Sequence, residues 1–176
     1  MGGFAVRNPF RIAFLLLALA ANAALAQQSI VYTVDDWANK APANAFVWGM
    51  TAPNTPATTG ASGKLSFTDS ALTIPLGDTA VRFTQAAMRG TILHIVLVEF
   101  PMRGANPSEA APFAIRFTDA FVTSVTLGKS GDGGSGSAEV KLRAVRIELY
   151  SSKQDPTGRM SPAGKAGFDT RVMKPL

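Results

Sequence analysis

Apolar and polar side chains alternate most regularly between residues 113 and 127. The odd positions read Phe113, Ile115, Phe117, Asp119, Phe121, Thr123, Val125 and Leu127; the even ones read Ala114, Arg116, Thr118, Ala120, Val122, Ser124 and Thr126. Successive side chains of a strand point to opposite faces, so this spacing predicts one long strand with its odd face on the core, and it places Asp119 inward. Between 137 and 150 the apolar phase starts on even numbers with Val140 and Leu142, then moves to odd numbers with Val145, Ile147 and Leu149. A regular strand cannot bury both sets, so a bulge or sharp bend is expected at Arg143 and Ala144. Long strands that bend are what a closed or nearly closed barrel requires.

The remaining pattern is also mainly β. Short strands are predicted at 30–34 and 45–50, with the latter ended by Pro53, Asn54 and Pro56. Residues 51–63 read as loop. An extended pattern resumes over 65–74, with Leu65, Phe67, Leu72 and Ile74 as its buried positions. Residues 91–100 are nearly continuously apolar, as in a strand covered on both faces. One helix is expected from Asp78 to near Gly90. Asp78 is placed to accept from an unpaired amide of the first turn, Arg89 suits the negative end, and Gly90 suits a left-handed closing residue. Its apolar stripe is expected to be Ala80, Val81, Ala87 and Met88, with Phe83 off it. Residues 101–112, 131–137 and 155–165 read as loops, and 168–172 as a final edge strand.

The first 26 residues change the picture. Arg7 and Arg11 precede an apolar run over 12–21, and Ala24-Leu25-Ala26 supplies the small side chains of a cleavage step before Gln27. That pattern predicts an export signal at 1–26 and a single domain at 27–176, working in the periplasm or outside the cell. The apolar run is about 10 residues, short of the roughly 20 that span a bilayer, so no stable membrane anchoring is expected after cleavage. The chain has no Cys and one His, which removes thiol chemistry, iron–sulfur clusters and Cys-containing zinc sites. Of 17 Lys and Arg, Arg7 and Arg11 belong to the leader, leaving 15 against 12 acidic residues. Those charges are dispersed, without the basic stripe and interleaved aromatics of a nucleic-acid surface.

The ordered set of pieces resembles a known family. Phe46-Val47-Trp48-Gly49-Met50, then Gly63-Lys64-Leu65-Ser66-Phe67-Thr68, then the helix at Asp78, resemble the hemolysin-coregulated protein (Hcp) family, the tube subunit of type VI secretion systems. The likeness continues through Val122-Thr123-Ser124-Val125, Val140-Lys141-Leu142, Ile147-Glu148-Leu149-Tyr150 and Gly167-Phe168-Asp169, and covers most of 30–172. The resemblance implies a small β-barrel of two packed antiparallel sheets with one short α-helix on its side. It further implies self-association into a hexameric ring, rings that stack into a tube, and effector or secretion-apparatus proteins as partners. It carries over no catalytic residue, cofactor or metal. Tube subunits of this family ordinarily lack an export leader, so the alternative is a monomeric periplasmic or secreted binding module with the same fold and no role in a tube.

Several residues have a sharper and a plainer reading. His94, alone between Leu93 and Ile95, reads as a core or edge residue, because a metal site wants further ligands. Asp35 and Asp36 read as a turn or cap before Trp37. Asp119, inward by parity, is either a carboxylate with a raised pKa or, more plainly, the mark of a local bulge or of a hydrogen bond to backbone. The glycine-rich segment 131–137 lacks the Gly-Lys-Ser/Thr ending of a phosphate loop and sits between strands, where such a loop opens a helix. It reads as an adaptable hairpin. The candidate subunit or partner contacts are Gly131, Asp132 and Gly133 of that hairpin, with Arg116, Lys141, Arg143 and Arg146 of the two long strands. The plainer reading of the four cations is a solvated face.

Overall fold

The computed structural model describes residues 30–35, 37–51, 65–101, 111–129, 135–157 and 159–176. The proposed leader, Asp36 and the candidate contacts Gly131, Asp132 and Gly133 lie outside the described residues. The strands are β1 (Ile30–Val34), β2 (Trp37–Ala43), β3 (Ala45–Val47), β4 (Met50–Thr51), β5 (Ser66–Phe67), β6 (Ser70–Pro75), β7 (Ile92–Phe100), β8 (Phe113–Gly128), β9 (Ser137–Gln154), β10 (Met160–Asp169) and β11 (Lys174–Pro175). Helix α1 (Asp78–Arg89) lies between β6 and β7.

Among the described residues the architecture is mainly β, with antiparallel pairing throughout and one short helix. The main sheet runs β11-β10-β9-β8-β7-β1-β2, and β4 pairs with β5 in a separate ribbon. Strand β9 is shared: residues 137–142 pair with β6, whereas residues 146–154 pair with β10 on the same edge. Strand β6 in turn pairs with β3. At Asn44 the chain leaves β1 and joins β6, where the Asn44 N–H donates to the Thr73 carbonyl at 2.8 Å. The expected barrel is therefore not closed by one uninterrupted ladder. The sheet comes round by handing strand 37–47 from one neighbour to another, and its halves enclose one core that includes Tyr32, Leu72, Ile74, Val96, Phe117, Val140 and Leu142.

Two strands bend together to make this possible. In β8 the buried residues are Ile115 and Phe117, then Ala120, so the phase changes at Asp119, which adopts φ 51°. In β9 the buried set runs Ala138, Val140, Leu142 and Ala144, then resumes at Ile147. Pairs Thr118↔Arg146 and Ala120↔Ala144 bracket both breaks, so they face each other across the ladder. The expected bend in β9 thus exists but falls at Val145 and Arg146, just past Arg143 and Ala144. The strict odd-face pattern of β8 does not hold past residue 117, and Asp119 does not point into the core: its side chain is 43% exposed. The expected bulge is not at Asp119 itself, because the ladder runs from Thr118↔Arg146 to Ala120↔Ala144 without a register shift. The register shift lies four residues on, at Thr123, and brings Val122 and then Val125 against the core.

Helix α1 begins and ends as its sequence suggests but presents a different face. Gly90 takes φ 62°, its N–H donates to the Ala87 carbonyl, and the Thr91 N–H donates to Ala86, closing the last turn. Asp78 is the first helical residue rather than the cap, and its carboxylate pairs with Arg82 at 2.8 Å. The buried face is Ala80, Phe83 and Ala86, while Val81 and Met88 are exposed. Two alanines flanking Phe83 let the helix approach the sheet closely, so the large ring is buried against Trp37 (centroids 4.5 Å apart) and Tyr32 (6.0 Å). That burial outweighs the stripe built on Val81 and Met88.

Two further expectations change. Strand β7 buries Leu93, Val96 and Val98, but Ile92 and His94 on its other side are exposed, so it is not covered on both faces. Residues 160–169, read as loop and then edge strand, form the continuous strand β10 against β9. Its outer positions Ser161, Pro162, Ala163, Gly164 and Lys165 carry no apolar alternation, because backbone hydrogen bonds hold it on β9.

Candidate functional site

The four cations of β8 and β9 divide into two groups on either side of the bend. On one side, Lys141 and Arg143 are exposed, since β9 turns its even positions inward there. Asp69, just before β6, receives Arg143 Nε and Nη2 on one carboxylate oxygen, both at 2.8 Å. Its other oxygen accepts from the Thr123 hydroxyl at 2.9 Å. Lys141 lies 3.7 Å from Glu139. Beside the Asp69–Arg143 pair is a half-open pocket of about 300 Å³, floored by Phe67, Leu142 and Ile147 and bordered by Thr170 and Met173.

Past the bend, Arg116 and Arg146 are half-buried and lie diagonally across the ladder, through Arg116↔Glu148 and Thr118↔Arg146. Glu148 is buried, and its carboxylate sits 2.7 Å from Lys165 Nζ, which also lies 5.4 Å above the Tyr150 ring. The hydrogen bond from Lys165 pulls the Glu148 pKa down against partial burial, helped by Tyr150 and the charges of Lys165 and Arg116. Asp169 is buried at the end of β10 and accepts from the backbone N–H groups of Arg171 (2.9 Å) and Val172 (3.3 Å). Burial is the largest single influence on Asp169 and pushes its pKa up. Those two bonds and the charges of Arg171 and Arg146 together outweigh it, and the net shift is downward.

The structure also joins two residues that the sequence treats separately: His94 Nδ1 lies 3.4 Å from Asp119, on the exposed side of β7 and β8. Asp35 sits in a turn, as expected, with its N–H on the Ile95 carbonyl. Asp69, Glu148, Lys165 and Asp169 were not singled out by sequence reasoning. Asp169 alone carried a local signal, since Asp followed by Thr-Arg-Val is a common way to cap a turn.

These groups hold strands together more than they offer reactivity. A general acid working near neutral pH needs a raised carboxyl pKa, whereas Glu148 and Asp169 are held ionised by their partners. No group of three metal-ligating side chains occurs among the described residues. No helix among them is long and apolar enough to cross a membrane.

Neither a family model nor a curated protein matches this chain. Its three-dimensional likeness is extensive. A solved type VI secretion system protein superposes with a TM-score of 0.70 at 16% identity, over 85% of this chain and 100% of the other. The fold is that of the Hcp proteins. Hcp1 from Salmonella typhimurium matches with a TM-score of 0.63 at 16% identity, over 84% of this chain and 98% of its own. A structure described as a type VI secretion system effector from Yersinia pestis gives 0.61 at 14% identity, over 80% and 99%. The resemblance first seen in ordered strand and loop segments thus extends to the Hcp fold, despite identities too low to specify side-chain roles.

Proposed function

We propose that this chain is a non-catalytic structural subunit that associates with itself into rings, hexameric as the Hcp resemblance implies, and that holds or escorts effector proteins. The observation that carries this reading is the Hcp fold itself, spanning essentially the whole length of the solved chains it matches. The pairing of Asp69, Glu148 and Asp169 with cations and backbone amides supports a surface built for shape. The Ala24-Leu25-Ala26 step adds export to this reading, with the working protein beginning at Gln27. Gly131, Asp132, Gly133, Arg116, Lys141, Arg143 and Arg146 remain its candidate contacts.

Light scattering on the purified protein tests the assembly, with a particle six times the monomer mass expected. A strictly monomeric protein across the micromolar range would overturn it. Intact mass and cell fractionation of the native product test export: loss of 26 residues and recovery outside the cytoplasm are expected, and a full-length cytoplasmic product would overturn that part.

A further inference from the structure

Head-to-tail rings need two different surfaces on each subunit, because the patch a subunit offers to one neighbour is not the patch it offers to the other. Two exposed apolar patches, at opposite ends of β6, meet that requirement. The first surrounds the outer face of α1. Leu76, Val81, Met88 and Leu127 are 46%, 54%, 82% and 59% exposed, and with Ala80 they line a groove of about 580 Å³. Met88 and Val81 lie on the helix side turned away from Phe83, so the domain's own core does not use them. Their combined apolar surface is roughly 300–400 Å², the size of the largest patch on a typical soluble monomer, which is often functional.

The second patch lies at the β4–β5 ribbon and the carboxy-terminal turn. Met50 faces Phe67 across the ribbon, and Phe67 packs at a tilt on Phe168 with centroids 4.7 Å apart. Phe168 pairs with Pro175 in β11, and the Leu176 N–H bonds the Gly167 carbonyl. Met50, Val172 and Leu176 are all more than half exposed. Among the described residues the ribbon pairs with no other strand, and Phe67 anchors it between Trp48 (centroids 6.3 Å apart) and Phe168, leaving Met50 as its exposed ridge. Strand β6 leads from this ridge to Leu76, and its six residues alone set the patches about 20 Å apart.

We infer that the groove of one copy of this chain receives the Met50 ridge of the next. This rests on the ring reading above and names its contact surfaces. A groove facing a groove leaves a void, whereas a ridge in a groove matches shape as specific interfaces do. Two such patches together cover about 600–800 Å² of apolar surface. At the apolar fraction usual for interfaces, that implies about 1,000–1,300 Å² in total, the lower end of what a specific contact buries.

Two charge insertions at exposed positions test this, Met88→Asp in the groove and Met50→Asp on the ridge. Light scattering is read for each variant alone and for a 1:1 mixture, with unfolding midpoints matched to wild type. Each variant alone is expected to lose association by about 100-fold or more, since every contact then lacks one half. The mixture is expected to yield dimers and nothing larger, because only one intact groove and one intact ridge remain to meet. Assembly of either variant as in wild type, or a mixture that stays monomeric, overturns the groove-and-ridge contact while leaving the ring reading in place. A monomeric wild-type protein under the same conditions overturns both.

Discussion

Thr170 holds the bend in β9 by donating to Val145 twice over: its backbone N–H lies 2.8 Å from the Val145 carbonyl oxygen, and its hydroxyl lies 2.9 Å from that oxygen and from the Ala144 carbonyl. These carbonyls belong to the step where the buried phase changes from Ala144 to Ile147. Thr170→Val keeps the shape and removes the hydroxyl, so a loss of about 1–2 kcal/mol is expected in urea unfolding. An unchanged midpoint would show that the backbone bond alone secures the bend.

Asp119, across the ladder from that step, adopts a conformation that a β-branched residue tolerates poorly. Asp119→Val is expected to cost about 1–2 kcal/mol, and Asp119→Gly to be neutral or slightly stabilising. The exposed contact with His94 contributes little to either result. Equal destabilisation by both substitutions would mean that the carboxylate, not the backbone, matters.

Phe83 is fully buried and fixes α1 against Tyr32 and Trp37. Phe83→Ala should destabilise the fold by about 3–5 kcal/mol, whereas Met88→Ala on the exposed side should change it by less than about 0.5 kcal/mol. Thermal or chemical unfolding of the pair distinguishes the buried face from the exposed one.

Glu148 and Lys165 define a pH plateau. The Glu148 pKa is lowered from 4.5, chiefly by the Lys165 hydrogen bond, so the unfolded chain binds this proton more readily. Its contribution is fully present above pH 4.5 and is lost as pH falls through the depressed folded value. The Lys165 pKa is raised from 10.5, chiefly by the same bond, so its contribution is present below pH 10.5 and lost as pH rises through the folded value. Glu148→Gln should flatten both flanks of the stability–pH curve. A curve that keeps its acid flank would assign that flank to Asp169, whose pKa is also lowered.

Much of the strand content was legible because a period of two survives wherever one strand face is buried, as in 113–117 and 138–144. The closing turn of α1 was legible because Gly90 is suited to a left-handed conformation. Strand β10 was not, since Ser161, Pro162, Gly164 and Lys165 are held by backbone pairing that leaves no mark in side-chain pattern. The face of α1 differs from the expected one because six apolar residues, Ala80, Val81, Phe83, Ala86, Ala87 and Met88, compete for it and only the sheet decides among them. The ion pairs were equally hidden: Asp69 and Arg143 are 74 residues apart in the chain.

The sequence by itself determined local matters: where strands run, where the helix stops, that β9 changes phase, and that thiol chemistry is absent. Each depends on neighbours within a few residues, whose spacing and backbone preferences are written in the chain. Tertiary structure alone decided which face of α1 is buried, that Asp119 stands opposite the β9 bend, and which cation meets Asp69 or Glu148. Those outcomes depend on strands distant in sequence settling into register around one core, where burial and pairing select among faces that local preference leaves nearly equal.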